Sequence, residues 1–330
     1  MTRPVRSLFL LGGVVLLVVL LRKIDLPAAR DAVRAASPAW FALAAALLVA
    51  DVVIKAARWR WMVARAGGVQ LDLGEAAAAI LAGVAAASFS PARTVDLAKP
   101  MLLKQRFGTP LATSVAAALV ERAFDGMALI VLFGISLPLV GWGGTTFRPA
   151  AVAAGFLLTA GALALASPPT LRAVALGLIR RLPVSVGLRN GSERVTEAFT
   201  GGLALWRTRA NLWPLAGLSV LAGLTEAART AAVFRAVGLP LSPGGAMLAF
   251  STANIVAVAV LIPGGIGITE LSMAAVAGLM LRLPATHHLI AGAVLLDRVL
   301  SYYLVVAVGA LILVLAGRPA SAEAGPGAGH

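Results

Sequence analysis

Charged side chains occur within stretches of the chain that are otherwise strongly apolar. Ionisable groups are costly inside membrane-spanning segments, where they commonly mark the path of a substrate or an ion. The candidates are Arg58, Arg93, Asp96, Lys99, Glu121, Arg122, Asp125, Glu226, Arg229, Glu270, Asp297 and Arg298. Acids and bases alternate along this series, so salt bridges that only fix helix packing are the alternative interpretation of each pair.

One apolar segment is interrupted by residues that cannot continue a helix. Its break contains Pro263, Gly264, Gly265, Gly267 and Glu270. Proline lacks the N–H that a helix needs, and glycine lets the backbone turn sharply and approach another group closely. Irregular backbone at membrane depth is tolerated only inside protein or beside a water-filled cavity. The break therefore predicts the lining of a site, with a plain loop between two short helices as the alternative.

The first half of the chain contains similar features in the same order. The corresponding positions are Arg58 and Arg229, Pro91 and Pro263, Asp96 and Glu270, Pro110 and Pro284, and Glu121-Arg122 and Asp297-Arg298. Apolar matches arise by chance in a chain rich in alanine and leucine, whereas intramembrane charges and prolines are rare. Their nearly constant separation predicts an internal repeat.

Composition places the chain among integral membrane proteins. Of its 330 residues 60% are hydrophobic, and the mean hydropathy is +0.92. Several apolar runs reach the roughly 17–25 residues that a spanning helix needs, and strand-type alternation is absent from the sequence. The predicted fold is an all-α polytopic membrane protein. We expect an inverted repeat with two broken or re-entrant helical segments, giving about six full spans plus two hairpins.

Local signals place the main helix boundaries. Ser37-Pro38 predicts a helix start, and Asp72 with Glu75 has the spacing of a capping box. Further helices are expected after Pro110, from Pro243, and after Thr286.

Charge in the loops predicts the orientation of the chain. We expect a single transmembrane domain over 1–317, with repeat halves at about 38–142 and 212–316 joined by a basic cytoplasmic connection, 167–211. A disordered tail is expected over 318–330. Because cytoplasmic loops carry excess lysine and arginine, we expect cytoplasmic N- and C-termini, inverted halves, and a multi-pass location in the bacterial inner (cytoplasmic) membrane.

Several functional classes are disfavoured by composition. The chain has no cysteine and three histidines, so thiol chemistry is excluded and no metal or other cofactor is expected. The net charge of +14 is better explained by cytoplasmic loops and anionic lipid than by nucleic acid, and no nucleic-acid partner is expected. The glycine-rich ATP-binding loop is also missing from the sequence.

The charged residues at the two breaks suit an anionic head group. Guanidinium groups bind phosphate in a bidentate manner, and half-helix N-termini favour anions. Asp96 and Glu270 would neutralise arginines in the empty site, or recognise the amine of a zwitterionic head group. Membrane lipids with phosphate-bearing head groups are therefore the expected ligands.

The segment Pro263–Glu270, followed by Asp297-Arg298, resembles the late signature of a flippase-like family. That family is related to the transmembrane region of lysylphosphatidylglycerol synthase, the multiple peptide resistance factor. Pro91, Asp96 and Lys99 with Glu121–Asp125 are similar to its first-half signature, although Thr94-Val95 stands where the family pattern has glycine. The resemblance covers roughly residues 5–316. It implies an inner-membrane protein that moves lipids or lipid-linked intermediates between leaflets.

We therefore predict a lipid flippase-like transporter and not an enzyme. Lipid aminoacylation is not expected, because in the synthase a separate soluble domain carries that activity. Energy would come from a proton or ion gradient or from downstream consumption of the lipid, or no energy would be used, as in a scramblase. The alternatives are an intramembrane lipid-phosphate-modifying enzyme with Asp96 or Glu270 as base, and a non-transporting membrane partner of a lipid-modifying enzyme. A homodimer or a complex with a lipid-biosynthetic enzyme is a possible assembly.

Overall fold

The computed structural model describes residues 34–88, 98–141, 208–260 and 263–316, with residues 27, 31 and 206 and short pieces between 172 and 197. Nine α-helices account for most of these four ranges. They are α1 (Pro38–Gly67), α2 (Leu73–Ala87), α3 (Ala98–Phe107), α4 (Leu111–Leu139), α5 (Arg209–Ala236), α6 (Pro243–Val260), α7 (Ile268–Leu281), α8 (His288–Arg298) and α9 (Val305–Ala316). A 3₁₀ turn, Pro263–Gly265, precedes α7, and a π-helical turn, Val299–Leu304, joins α8 to α9.

The predicted helix starts are largely confirmed, and their causes are local. Pro38 is the first residue of α1, where a missing N–H costs nothing. Asp72 and Glu75 form both hydrogen bonds of a capping box at the start of α2. Ser37 makes no side-chain cap, and His287, rather than Thr286, caps α8 by accepting from the N–H of Leu289.

The apolar character of the helices confirms an all-α membrane protein. Within the described residues, three helical stretches are long and apolar enough to span a membrane: Pro38–Gly67, Pro243–Val260 and His288–Leu315. Large hydrophobic side chains such as Val49, Leu139 and Val314 are about 60% exposed, which suits contact with lipid. The expected count of about six spans stays a prediction.

Packing places the first and second parts of the chain against each other. Helix α1 packs along α5, α2 packs along α9, and α4 packs along α6. The largest apolar cluster joins α5, α6, α7 and α8 around residues such as Phe234, Leu241 and Ile290, each 1% exposed or less. A second cluster around Trp59 and Ile80 joins α1 to α2. The charged faces of α1, α4 and α5 therefore meet inside the bundle.

Close approach of α2 and α9 depends on Gly309. A Cβ added there would overlap the carbonyl oxygen of Leu81 and lie 2.6 Å from its carbonyl carbon. We expect Gly309→Ala to destabilise the protein by about 1–3 kcal/mol, because the helix backbones must separate. Thermal unfolding in detergent measures the effect. Gly134→Ala is the matched control, since an added Cβ at Gly134 meets nothing within 4 Å; equal stability of the two variants would contradict the prediction.

Candidate functional site

A cavity of about 170 Å³ lies between the helices of the bundle. Its wall combines apolar side chains, such as Ile80, Leu129 and Phe250, with many polar ones. The polar and charged lining residues are Asp51, Lys55 and Arg58 on α1, Lys99 on α3, Glu121, Arg122 and Asp125 on α4, Ser219, Glu226 and Arg229 on α5, Asn254 on α6 and Ser301 in the π-helical turn. Both the first and the second parts of the chain therefore supply polar groups to one internal space.

Arg58 is the most completely buried charge in this wall, with 1% of its surface exposed. Its Nη1 donates to Asp125 Oδ1 at 2.6 Å and to Ser219 Oγ at 2.7 Å. Its Nη2 donates to Glu121 Oε1 at 2.8 Å. The buried Nε has no hydrogen-bond partner in the described structure. Three oxygen acceptors thus hold the guanidinium, and its buried Nε–H is unused in the described structure.

Glu121 joins two cations. Besides Arg58 it accepts from Lys99 Nζ at 2.5 Å, and that ammonium lies 4.7 Å from the centre of the Trp59 ring. Lys99 and Glu121 are each 2% exposed. Because Coulomb attraction is strong in such a poorly solvated place, the carboxylate stabilises two cations that are almost completely buried.

Lys55 forms a second set of ion pairs in the cavity wall. Its Nζ donates to Asp51 Oδ2 at 2.8 Å and to Glu226 Oε1 at 3.0 Å. The spacing of Asp51, Lys55 and Arg58 predicts one helical face with pairing inside the bundle, and the Asp51–Lys55 pair confirms this. The other oxygen of Asp51 is buried without a partner in the described structure.

The ion pairs that α8 makes with α5 and α7 form a separate cluster. Arg229 pairs with Asp297, and Thr230 also donates to that carboxylate. Arg298 Nε donates to Glu270 Oε1 at 2.7 Å, and its guanidinium carbon lies 4.4 Å from the centre of the Tyr302 ring. Only Arg229 of this group also lines the cavity.

The interrupted helix between α6 and α7 is confirmed. Gly264, Gly265 and Gly267 have φ values of 67°, 65° and 82°, a region that residues with a Cβ rarely adopt. A Cβ at Gly264 would also overlap the hydroxyl of Tyr302. The carbonyl of Gly264 accepts from Arg298, and the N–H of Gly267 donates to Glu270 at 2.7 Å. The break therefore holds the Glu270–Arg298 pair in place.

The predicted site residues divide into three groups. Those in the cavity wall are Arg58, Lys99, Glu121, Arg122, Asp125 and Arg229. Those outside that wall are Pro263, Gly264, Gly265, Gly267, Glu270, Asp297 and Arg298. Pro91, Arg93 and Asp96 lie outside the described residues. A meeting of the two breaks at one place therefore stays a prediction.

Each acid of the charged series within the described residues has a basic partner, and whether these pairs only fix helix packing or also bind a substrate stays a prediction. Sequence reasoning left Asp51 and Lys55 out of the proposed site, although both share a helical face with Arg58 and this spacing could have indicated their place in the cavity wall. It also missed Ser219, Asn254 and Ser301. Neutral polar residues in apolar helices are common, so only their packing distinguishes these three.

Taken together, the helices and the cavity define an all-helical membrane protein with a charged internal cavity. The chain belongs to the family of the lysylphosphatidylglycerol synthase transmembrane region, whose model matches residues 6–309. The resemblance seen in the sequence motifs is therefore confirmed. A similar protein is the UPF0104 membrane protein of Methanothermobacter thermautotrophicus, which is 27% identical over 289 residues, 82% of each chain. No solved structure matches the chain significantly.

Proposed function

We propose that this protein is a flippase-like transporter that moves anionic or zwitterionic phospholipids, or lipid-linked intermediates, between the leaflets of the inner membrane. The observation that carries the proposal is the charged cavity enclosed by apolar, membrane-spanning helices. A polar path of this kind lowers the cost of taking a phosphate across hydrocarbon. Arg58, whose guanidinium already pairs with Glu121 and Asp125, is the group that contacts the phosphate.

Equivalent elements in the two parts of the chain support an inverted repeat. Helices α1, α2, α3 and α4 recur in order as α5, α6, α7 and the α8–α9 pair. The contacts recur as well: α2 packs on α9, and the corresponding helices of the other part, α6 and α4, also pack on each other. Arg58 pairs with Glu121, and the corresponding Arg229 pairs with Asp297. Inverted repeats around a central site are the architecture of alternating-access transporters.

Ion-pair exchange provides a mechanism for movement. Removing one partner of a buried ion pair costs about 3–5 kcal/mol, because an uncompensated charge is left behind. A lipid phosphate that replaces Asp125 on Arg58 keeps the guanidinium compensated while the helices move apart. The bound head group therefore lowers the barrier to the rearrangement that carries it across.

Reconstituted vesicles test the proposal. The protein is placed in vesicles that contain a phosphatidylglycerol with a fluorescent acyl chain, and a membrane-impermeant quencher reports the lipid that reaches the outer leaflet. We expect exchange to exceed that of protein-free vesicles while the lipid stays chemically unchanged by chromatography. An altered lipid would instead indicate an enzyme. Exchange equal to that of protein-free vesicles would contradict transport and favour the non-transporting partner of a lipid-modifying enzyme.

A further inference from the structure

The cluster formed by Asp51, Lys55 and Glu226 does more than compensate charge. It contains two carboxylates and one ammonium, a formal net charge of −1 in the cavity wall. Asp51 is 5% exposed, and its Oδ1 is buried with no hydrogen-bond partner in the described structure. A carboxylate oxygen left unsatisfied in a poorly solvated place is costly. The cluster therefore carries one surplus negative charge, and its buried acceptor without a partner belongs to Asp51.

From this arrangement we propose that Asp51 is a proton-binding site. The proton adds to Oδ1, turning the carboxylate into a carboxylic acid. Lys55 and Glu226 then remain as a neutral ion pair at 3.0 Å. The site would make lipid movement depend on protons, and this second part of the inference rests on the proposed transport function.

Charged groups on the neighbouring elements define the surroundings of Asp51. Lys55 lies on the same helix, and α5 contributes Glu226 and Arg229. Helix α4 contributes Asp125, which interacts with Lys55 rather than with Asp51 directly. Helix α2 presents apolar side chains to the cavity, and the π-helical turn presents Ser301.

A proton fits these surroundings better than a metal cation. Hard cations need several oxygen ligands, commonly six or more for the larger ones. Here the ammonium of Lys55 already lies between the two carboxylates, at 2.8 Å and 3.0 Å. Among the buried atoms of the cluster in the described structure, Asp51 Oδ1 is the one without a partner. One unused oxygen can accept a proton but cannot build a coordination shell.

The proton site and Arg58 are close enough to influence each other. Asp51 and Arg58 are two helical turns apart on α1, about 10 Å along the axis. A phosphate bound at Arg58 adds a negative charge at that distance, which favours the protonated form of Asp51. The expected coupling is on the order of tenfold in proton affinity. By reciprocity the proton strengthens phosphate binding by the same factor.

Infrared difference spectroscopy of the full-length protein in bilayers tests proton binding without any transport. We expect a carboxylic-acid carbonyl band in mildly acidic but not in mildly alkaline buffer. Asp51→Asn should remove the band, whereas Asp51→Glu should shift it. Glu197→Gln, at an exposed ion pair with Arg172, should retain it, whereas Glu226→Gln, which removes the surplus negative charge of the cluster, should shift its appearance to more acidic buffer. A band that Asp51→Asn leaves unchanged, or the absence of any such band in mildly acidic buffer, would overturn the assignment.

Lipid exchange in the vesicle assay tests the coupling. We expect the rate to depend on pH in the unaltered protein and in Glu197→Gln, but not in Asp51→Asn, and to be the same when choline replaces sodium. A sodium requirement, or an unchanged pH dependence in Asp51→Asn, would overturn the inference. An Asp51-dependent band without exchange would count against transport and leave the proton site standing. Lipid exchange without that band would count against the proton site and leave the transport proposal standing.

Discussion

Replacing Glu121 with glutamine should abolish lipid exchange and lower the free energy of unfolding by about 3–5 kcal/mol. The carboxylate of Glu121 compensates Arg58 and Lys99 together, and all three residues are 2% exposed or less. Glutamine keeps the shape but removes the charge, which leaves Lys99 in a poorly solvated place without its strongest described partner. Thermal unfolding in detergent and the vesicle assay measure the two effects.

A second substitution separates stability from function. Adding Lys99→Met to Glu121→Gln removes the cation that has lost its strongest described partner, while Arg58 keeps its ion pair with Asp125, so stability should recover by roughly 1–3 kcal/mol. Exchange should not recover, since the cavity wall has lost two of its charges. Glu197→Gln is the matched control, because its exposed ion pair contributes at most about 1 kcal/mol. Full exchange by the double variant would contradict the role given to this pair.

The second large effect is expected for Arg298→Ala, at the helix break. This substitution leaves the carboxylate of Glu270, which is 1% exposed, with only the N–H of Gly267 as a described donor. It also removes the donor to Gly264 and the stacking on Tyr302. We expect the free energy of unfolding to fall by about 3–5 kcal/mol. Lipid exchange should be lost together with this stability.

Neutralising both partners distinguishes a packing role from a binding role. Glu270→Gln combined with Arg298→Met removes both charges and should recover much of the stability, because no uncompensated charge remains. Since neither residue lines the cavity, we expect exchange to return together with stability. A stable double variant with no exchange would instead assign the pair to the lipid path.

Much of the architecture follows from local rules that a sequence displays. The capping box at Asp72 and the prolines at 38 and 243 predict where helices begin. The glycines after Pro263 predict the interruption, because only glycine tolerates their backbone angles without strain. These signals depend on residues near one another in the chain, and no knowledge of packing is needed.

The choice of ion-pair partners did not follow from the sequence. Helical spacing places Asp51, Lys55 and Arg58 on one face, yet Arg58 pairs with α4 and Lys55 reaches across to Glu226, 171 residues away. Periodicity shows which residues share a face but not which faces meet. The cavity was missed for the same reason, because its wall combines eight elements that only packing brings together.

The most direct test of the central claim asks whether lipid head groups enter the cavity. The chain has no cysteine, so Ser301→Cys introduces a single thiol into the cavity wall. We expect an anionic methanethiosulfonate reagent to label this thiol and block exchange, and a short-chain phosphatidylglycerol to slow the labelling. The same reagent on Ser192→Cys, which lies outside the cavity wall, should leave exchange intact. Exchange that continues unchanged after complete labelling at residue 301, with no protection by lipid, would contradict a head-group path through this cavity.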